Sequence, residues 1–232
     1  MEVVVSGVIL WTVAFLAVRR VFPRCSFDFG NRIISVIHAF VAVSMGMTCL
    51  SDQDWDMNHL SSPSSPLQIK SLTITLSYLI YDLIGCCFDD KRKPTMDNAV
   101  HHLISIVGIG AGLWYRRCGT EMVASLCITE ISTPFLHLRE ILKEMGYRDT
   151  NLNLIADISF AVTFSVARML FGPFLLYKTF STDHPVLIKA MALGLQLVSA
   201  FWFYRIARMM RYKLTKRSKR IRLLDNTITK RN

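Results

Sequence analysis

The sequence predicts an all-α fold, a polytopic membrane helix bundle of about seven spans around a cavity. Three observations carry that expectation. Of the 232 residues, 52% are hydrophobic and 19% charged, an apolar, charge-poor balance of the membrane class. The apolar residues gather into runs of near-membrane length. Ionisable side chains recur inside those runs at matching depths, where lipid would make each cost about 2.5 to 3.5 kcal/mol.

The predicted spans are residues 3–18, 33–50, 71–88, 99–115, 122–138, 154–177 and 186–204. The first carries Glu2 before it and Arg19-Arg20 after it, the reverse of a cleavable signal, so a retained span is expected. Between the second and third lies a polar stretch, 51–69, where Asp52, Asp54 and Asp56 precede Ser61-Ser62-Pro63-Ser64-Ser65-Pro66; it reads as a linker. The fourth opens on the paired His101-His102, the fifth holds Glu130 and His137, and the sixth holds Asp157 and Arg168. Most runs approach the length of about 17 to 25 residues that a bilayer core of about 30 Å requires, and the short ones suit a thin membrane such as the endoplasmic reticulum.

Positive charge fixes the expected orientation, because Lys- and Arg-rich connections stay cytosolic. With the N terminus outside, 21 of the 27 Lys and Arg residues fall on the cytosolic side: Arg19, Arg20, Arg24, Arg32, Lys91, Arg92, Lys93, Arg139, Lys143, Arg148 and eleven from Arg205 to Arg231. Lys70, Arg116, Arg117 and Lys178 fall opposite, with Arg168 and Lys189 inside spans. The N terminus is therefore expected in the lumen and the C terminus in the cytosol. The net charge of +10 resides mostly in the tail, around Lys213, Lys216, Arg217, Lys219, Arg220 and Arg222. Beside a membrane such a run meets anionic lipid headgroups, at about 1 kcal/mol per residue, rather than nucleic acid.

Six cysteines form no CxxC pair and no metal-type spacing, which supports neither a zinc site nor a thioredoxin motif, and no metal is expected. Unmodified membrane cysteines are the plainer reading; Cys25, Cys86 and Cys87 near cytosolic helix ends are candidates for acylation, and Cys49 and Cys118 near the lumenal side for pairing.

Sequence position converts to depth at about 1.5 Å per residue, and successive spans run in opposite directions. His38, Asp82, His101, His102, His137 and Asp157 then share the cytosolic half, with Glu130 near mid-membrane. Tyr78 and Asp82 are four apart, Glu130, Pro134 and His137 follow one helical stripe, and Asp157 and Arg168 another. Adjacent His101 and His102 point about 100° apart, so one is expected to face the cavity while the other bonds a neighbouring helix. Asp82 is the natural orienting acceptor. A neutral imidazole with a carboxylate partner can act as a base or a nucleophile, for example on an amine or hydroxyl attacking an acyl thioester. The same set can instead be an interhelical hydrogen-bond network, the plainer reading for His38 and His137.

The segments Asn31-Arg32-Ile33-Ile34-Ser35-Val36-Ile37-His38-Ala39, Tyr78-Leu79-Ile80-Tyr81-Asp82-Leu83, His101-His102 and Glu130-Ile131-Ser132-Thr133-Pro134-Phe135-Leu136-His137-Leu138-Arg139 together resemble the TLC (TRAM, LAG1, CLN8) family. The resemblance implies a six- or seven-helix bundle around a lipid cavity, found in ceramide synthases, in cargo receptors of the endoplasmic reticulum and in small proteins that adjust phospholipid composition. In the synthases the paired histidine, matching His101-His102, is catalytic for N-acylation by acyl-CoA. Those synthases carry several Asp residues after the pair where this chain offers only Glu130, which points away from ceramide synthesis itself.

The division expected is a first span and cytosolic loop over 1–27, a TLC domain over 28–210 and a basic tail over 211–232. The function expected is lipid metabolism or homeostasis in the endoplasmic reticulum or a connected membrane, with an acyl lipid in the cavity. The candidate catalytic residues are His101, His102 and Asp82, and the candidate cavity residues are His38, Tyr78, Glu130, His137, Asp157 and Arg168. No cofactor is expected beyond acyl-CoA as co-substrate if the protein is an acyltransferase; a cargo receptor or regulator needs none. A signalling receptor with seven spans would carry Asp-Arg-Tyr and Asn-Pro-x-x-Tyr motifs, and both are absent.

Overall fold

The computed structural model describes residues 2–51, 60–88 and 96–229, with side chains for all of these except 86–88, 216 and 218–229. Asp52, Asp54, Asp56, Lys91, Arg92 and Lys93 lie outside the described residues, as do the side chains of Cys86, Cys87 and most of the basic tail. The described residues are helical, with one isolated bridge between Pro63 and Arg117.

Helix α1 is Glu2–Val21, α2 Phe27–Leu50, α3 Pro66–Phe88 and α4 Met96–Tyr115. The fifth span is two helices, α5 (Gly119–Glu130) and α6 (Thr133–Glu144). The sixth runs through α7 (Asn151–Phe164), a π-helical segment (Ser165–Phe171) and α8 (Gly172–Ser181), and α9 extends from Val186 to Thr229. Seven spans result. Glu2–Val21, Phe27–Leu50, Asn151–Ser181 and Val186–Thr215 are long and apolar enough to cross a membrane by length and composition alone. Leu10, Trp114 and Leu170 point outward with more than half their surface exposed, as lipid-facing side chains do.

The helices outrun the apolar runs because capped polar residues extend them. Ser26 accepts the Phe29 N–H at 3.0 Å, so α2 starts at Phe27 rather than near residue 33. Thr150 caps α7 in the same way through Asn153, at 3.3 Å. The fifth span breaks at residues 131–132 because Pro134 has no N–H for the Glu130 carbonyl and its ring crowds the turn before it. Pro173 explains the π-helical segment similarly. A proline there would leave a clash four residues back, and the wider turn, with Gly172 N–H reaching Ala167, avoids it.

The linker expected over 51–69 is corrected in its second half. Leu60, Ser61 and Ser65 are buried, Ser64 N–H donates to the Arg116 carbonyl at 3.0 Å, and α3 already begins at Pro66. Backbone pairing with the α4–α5 connection holds this stretch down over one end of the bundle. Cys49 and Cys118 do not pair, in line with the reading of unmodified cysteines: Cys118 is a free thiol beside Ser61, while Cys49 packs with Leu72 and Val123 in a separate cluster.

Three packed clusters hold the spans together. Trp11 and Phe15 seat α1 on α3 through Tyr78, Leu79 and Tyr81; Cys49, Leu72 and Val123 join α2, α3 and α5; Phe160, Phe164 and Ile206 join the sixth span to α9. The space left between α4, α5, α8 and α9 is the cavity.

Candidate functional site: an intramembrane cavity with one polar end

The cavity encloses about 130 Å³ and is walled by α4, α5, the π-helical segment with α8, and α9, with Thr75 and Leu79 from α3. Along α9 its lining runs from Ile188 to Ser199, roughly 16 Å at 1.5 Å per residue. Ile104, Leu126, Leu175 and Leu195 make its middle apolar. Its polar groups collect at two levels. His101, Glu130 and Arg168 stand toward the basic side, and Glu121 and Thr179 toward the opposite end.

The paired histidine divides as a 100° step on a helix requires. His102 turns to α3, where its Nε2 lies 3.1 Å from Asp82 Oδ2. His101 faces the cavity, with its ring 4.9 Å from that of Trp202 and its Nδ1 buried without a hydrogen-bond partner. Trp202 is itself fixed, since its indole N–H donates to Asp97 Oδ2 at 2.7 Å and Arg205 donates to the same oxygen at 2.9 Å. Asp82 therefore orients His102, not the imidazole that faces the cavity.

Arg168 reaches the cavity from the π-helical segment, whose widened turn re-aims side chains relative to α7. Its Nη2 donates to the Thr129 carbonyl at 2.8 Å and its Nη1 to Ser199 Oγ at 3.3 Å, and its guanidinium lies over the rings of Phe164 and Trp202 at 5.1 and 5.7 Å. The Thr129 carbonyl is one of those left open where α5 ends, so a cation there satisfies an orphan acceptor and complements the negative end of the helix. Glu130, 14% exposed, lines the cavity beside it. A guanidinium, a carboxylate and an imidazole thus converge at one end of an apolar slot. Such a site can hold a polar headgroup or carbonyl while the slot holds a chain.

The remaining candidates do not line this cavity. His38 stacks on Tyr78, ring centroids 3.8 Å apart, with Nε2 3.4 Å from Thr75 Oγ1 and Nδ1 3.9 Å from Glu130 Oε2. Tyr78 donates to Ser35 Oγ at 2.8 Å. The pair backs the site from α2 and α3. His137 accepts from Arg32 Nη1 at 3.5 Å, on the basic side. Asp157, almost fully buried, sits between Arg139, whose Nε is 3.0 Å away, and Lys213 of α9. Asp157 and Arg168 share the stripe the spacing gave, yet meet different partners.

Nearby, Glu140 pairs with Lys143 at 2.5 Å and with Arg139 at 3.3 Å. This charged belt and the cap where Ser26 donates to both Glu144 oxygens at 2.8 Å close the bundle on the basic side.

A second polar cluster escaped sequence reasoning. At the opposite end, Cys118, Glu121 and His184 are buried together. Ser61 N–H donates to Glu121 Oε1 at 2.6 Å, and His184 Nε2 is bonded to the same oxygen. Burial and the Glu121 charge raise the Cys118 thiol to about 11. Ser61, Arg116 and Cys118 hold left-handed backbone angles of 67°, 52° and 69°, each costing about 1 to 3 kcal/mol for a non-glycine residue. The Glu121 and His184 segments are 63 residues apart, so no spacing announces them. Trp202 and Ser199, on α9, likewise carry no sequence signal beyond their place in an apolar run.

The TLC domain model matches residues 28–208. TLC domain-containing protein 4-B of Danio rerio is 26% identical over 196 residues, covering 78% of this chain and 73% of its own. TLC domain-containing protein 4 of Xenopus tropicalis is 27% identical over 203 residues, covering 80% and 75%. A putative TLC domain-containing protein of Acanthamoeba polyphaga mimivirus is 26% identical over 174 residues, covering 73% and 83%. With the model matched over most of its length and a bundle of membrane helices as its fold, the chain belongs to the TLC domain family.

Proposed function

We propose that this protein is a multi-pass membrane protein of lipid homeostasis that binds an acyl lipid in its intramembrane cavity. One observation carries the reading: an elongated slot, apolar in its middle, with His101, Glu130 and Arg168 converging at one end. A lipid has that division of chemistry, a chain for the slot and a headgroup or ester for the polar end. The charge asymmetry supports an N terminus in the lumen, a cytosolic C terminus whose basic residues meet anionic headgroups, and residence in the endoplasmic reticulum or a connected membrane. Within the family, the compact size and the Ser-Pro-rich stretch ending Pro66-Leu67-Gln68-Ile69 resemble TLC domain-containing protein five.

A second reading, an acyl-CoA-dependent acyltransferase, rests on the buried, unpartnered Nδ1 of His101 at the cavity wall. In that reaction His101 takes the proton from an amine or hydroxyl as its N or O bonds to the thioester carbon. The C–S bond breaks, and the proton goes to the departing CoA thiolate. Asp82 and His102 would position the neighbouring turn. A non-enzymatic cargo receptor or regulator uses the same cavity without the transfer.

Untargeted lipidomics of cells lacking the protein, rescued by variants expressed at wild-type level, tests the proposal. Wild type is expected to restore a shifted acyl-lipid profile, and His101→Asn to fail while inserting normally. His102→Asn should retain most rescue, since an amide still hydrogen-bonds Asp82. Full rescue by His101→Ala and Glu130→Gln together would contradict it.

A further inference from the structure

We propose that Cys118, Glu121 and His184 form a site for one zinc-class divalent cation at the end of the bundle opposite the basic tail. The three side chains arrive from different segments: Cys118 from the α4–α5 connection, Glu121 from the first turn of α5, and His184 from the α8–α9 connection. All are buried, and one ligand atom from each lies within 4.8 Å of the other two. Ligands of a tetrahedral zinc stand roughly 3.3 to 3.6 Å apart, so modest convergence of the three side chains completes a first shell. The fourth position is left for water or another donor.

The donor set selects the ion. Thiolate, imidazole and carboxylate together suit zinc and its borderline neighbours, whereas calcium and magnesium take oxygen ligands. An independent observation points to a ligand. Glu121 Oε2 and His184 Nδ1 are buried without a hydrogen-bond partner, on side chains 5% and 0% exposed. The hydrogen bond between His184 and Glu121 Oε1 accounts for one atom of each residue and leaves these two unexplained. A thiol held against a carboxylate in a buried site is also an electronegative arrangement that a bound cation relieves.

Outer partners are in place. Ser61 N–H donates to Glu121 Oε1 at 2.6 Å, Ser61 Oγ lies 3.9 Å from Cys118 Sγ and donates to the Asp183 carbonyl at 2.9 Å, and Arg117 Nε donates to the Ser61 carbonyl at 2.9 Å. Such contacts orient ligands at metal sites. A cation here would tie the α4–α5 and α8–α9 connections to the start of α5, and because Glu121 also lines the cavity, the cap would close the cavity's far end. The site stands on its own geometry, whatever the cavity holds.

The full chain, purified in nanodiscs without chelator, loaded with zinc and desalted, is analysed for bound metal by mass spectrometry. About one zinc per chain is expected, falling to about a tenth of that in Cys118→Ser, Glu121→Gln and His184→Ala. Cobalt loading of wild type should give the visible bands of tetrahedral coordination and a thiolate charge-transfer band that Cys118→Ser lacks. Where a variant does not fold, alkylation of Cys118 in wild type decides, with zinc expected to slow it about tenfold or more. Wild type that binds neither zinc nor cobalt, zinc retained in all three variants, or alkylation unaffected by zinc each overturns the proposal.

Discussion

Asp157→Ala is expected to destabilise the protein by about 3 kcal/mol, the low end of the cost of breaking a buried ion pair. The carboxylate is almost fully buried and answers two cations from different spans, Arg139 of α6 and Lys213 of α9. Removing it leaves Arg139, itself 10% exposed, with Glu140 at 3.3 Å and the Met209 thioether at 3.1 Å. The guanidinium is stacked over Phe160 at 5.4 Å and cannot swing to water without undoing that contact. Lys213→Met should cost well under about 1 kcal/mol, because Lys213 is 30% exposed and its stem can carry the charge outward. Thermal unfolding in detergent, followed by size-exclusion chromatography, separates the two. Equal melting of Asp157→Ala and wild type would show that these charges do not bind α6, α7 and α9 together.

Arg168→Met is expected to weaken lipid retention in the cavity by about tenfold to a hundredfold. The change keeps a long apolar stem but deletes the cation. A charge-assisted hydrogen bond contributes about 1.5 to 3 kcal/mol, and each 1.4 kcal/mol is a factor of ten in affinity. It also removes the donor to the Thr129 carbonyl at the end of α5, so Glu130 loses the cation beside it and a fixed backbone. Arg168→Lys should recover part of the loss, since a point charge cannot serve Thr129 and Ser199 with the geometry of a planar fork. Lipid retained at wild-type level by Arg168→Met, measured on the purified protein by native mass spectrometry, would remove Arg168 from the binding site.

Which parts of this were legible follows from what each signal measures. Composition and run length report contact with lipid, so the spans emerged from them directly. Depth along the helix axis, converted from sequence position, brings the paired histidine to Asp82 without saying which of the two imidazoles meets it. Depth says nothing of azimuth, however, and for that reason His38 and Tyr78 were grouped with the cavity although they back it from α2 and α3. The same holds for His137 and Asp157, which face the charged belt on the basic side. The π-helical segment was hidden because it depends on how Pro173 is accommodated and on Gln196 Nε2, which donates to the Arg168 carbonyl at 3.1 Å from a distant helix. The stretch 60–65 has a linker's composition, and what holds it over the bundle is its backbone bonds to residues 116 and 118 together with the bonds of Ser61 to Arg117, Glu121 and Asp183.

Photocrosslinking tests most directly whether the cavity holds an acyl chain. Cells expressing the protein are fed a fatty acid bearing a diazirine near its end, irradiated, and the attachment sites are mapped by peptide mass spectrometry. Attachment is expected on the inward faces of residues 104–109, 125–130, 172–176 and 188–196, reduced in Arg168→Met. Labelling confined to outward positions such as Leu10, Trp114 and Leu170, with the cavity faces unlabelled, would contradict it.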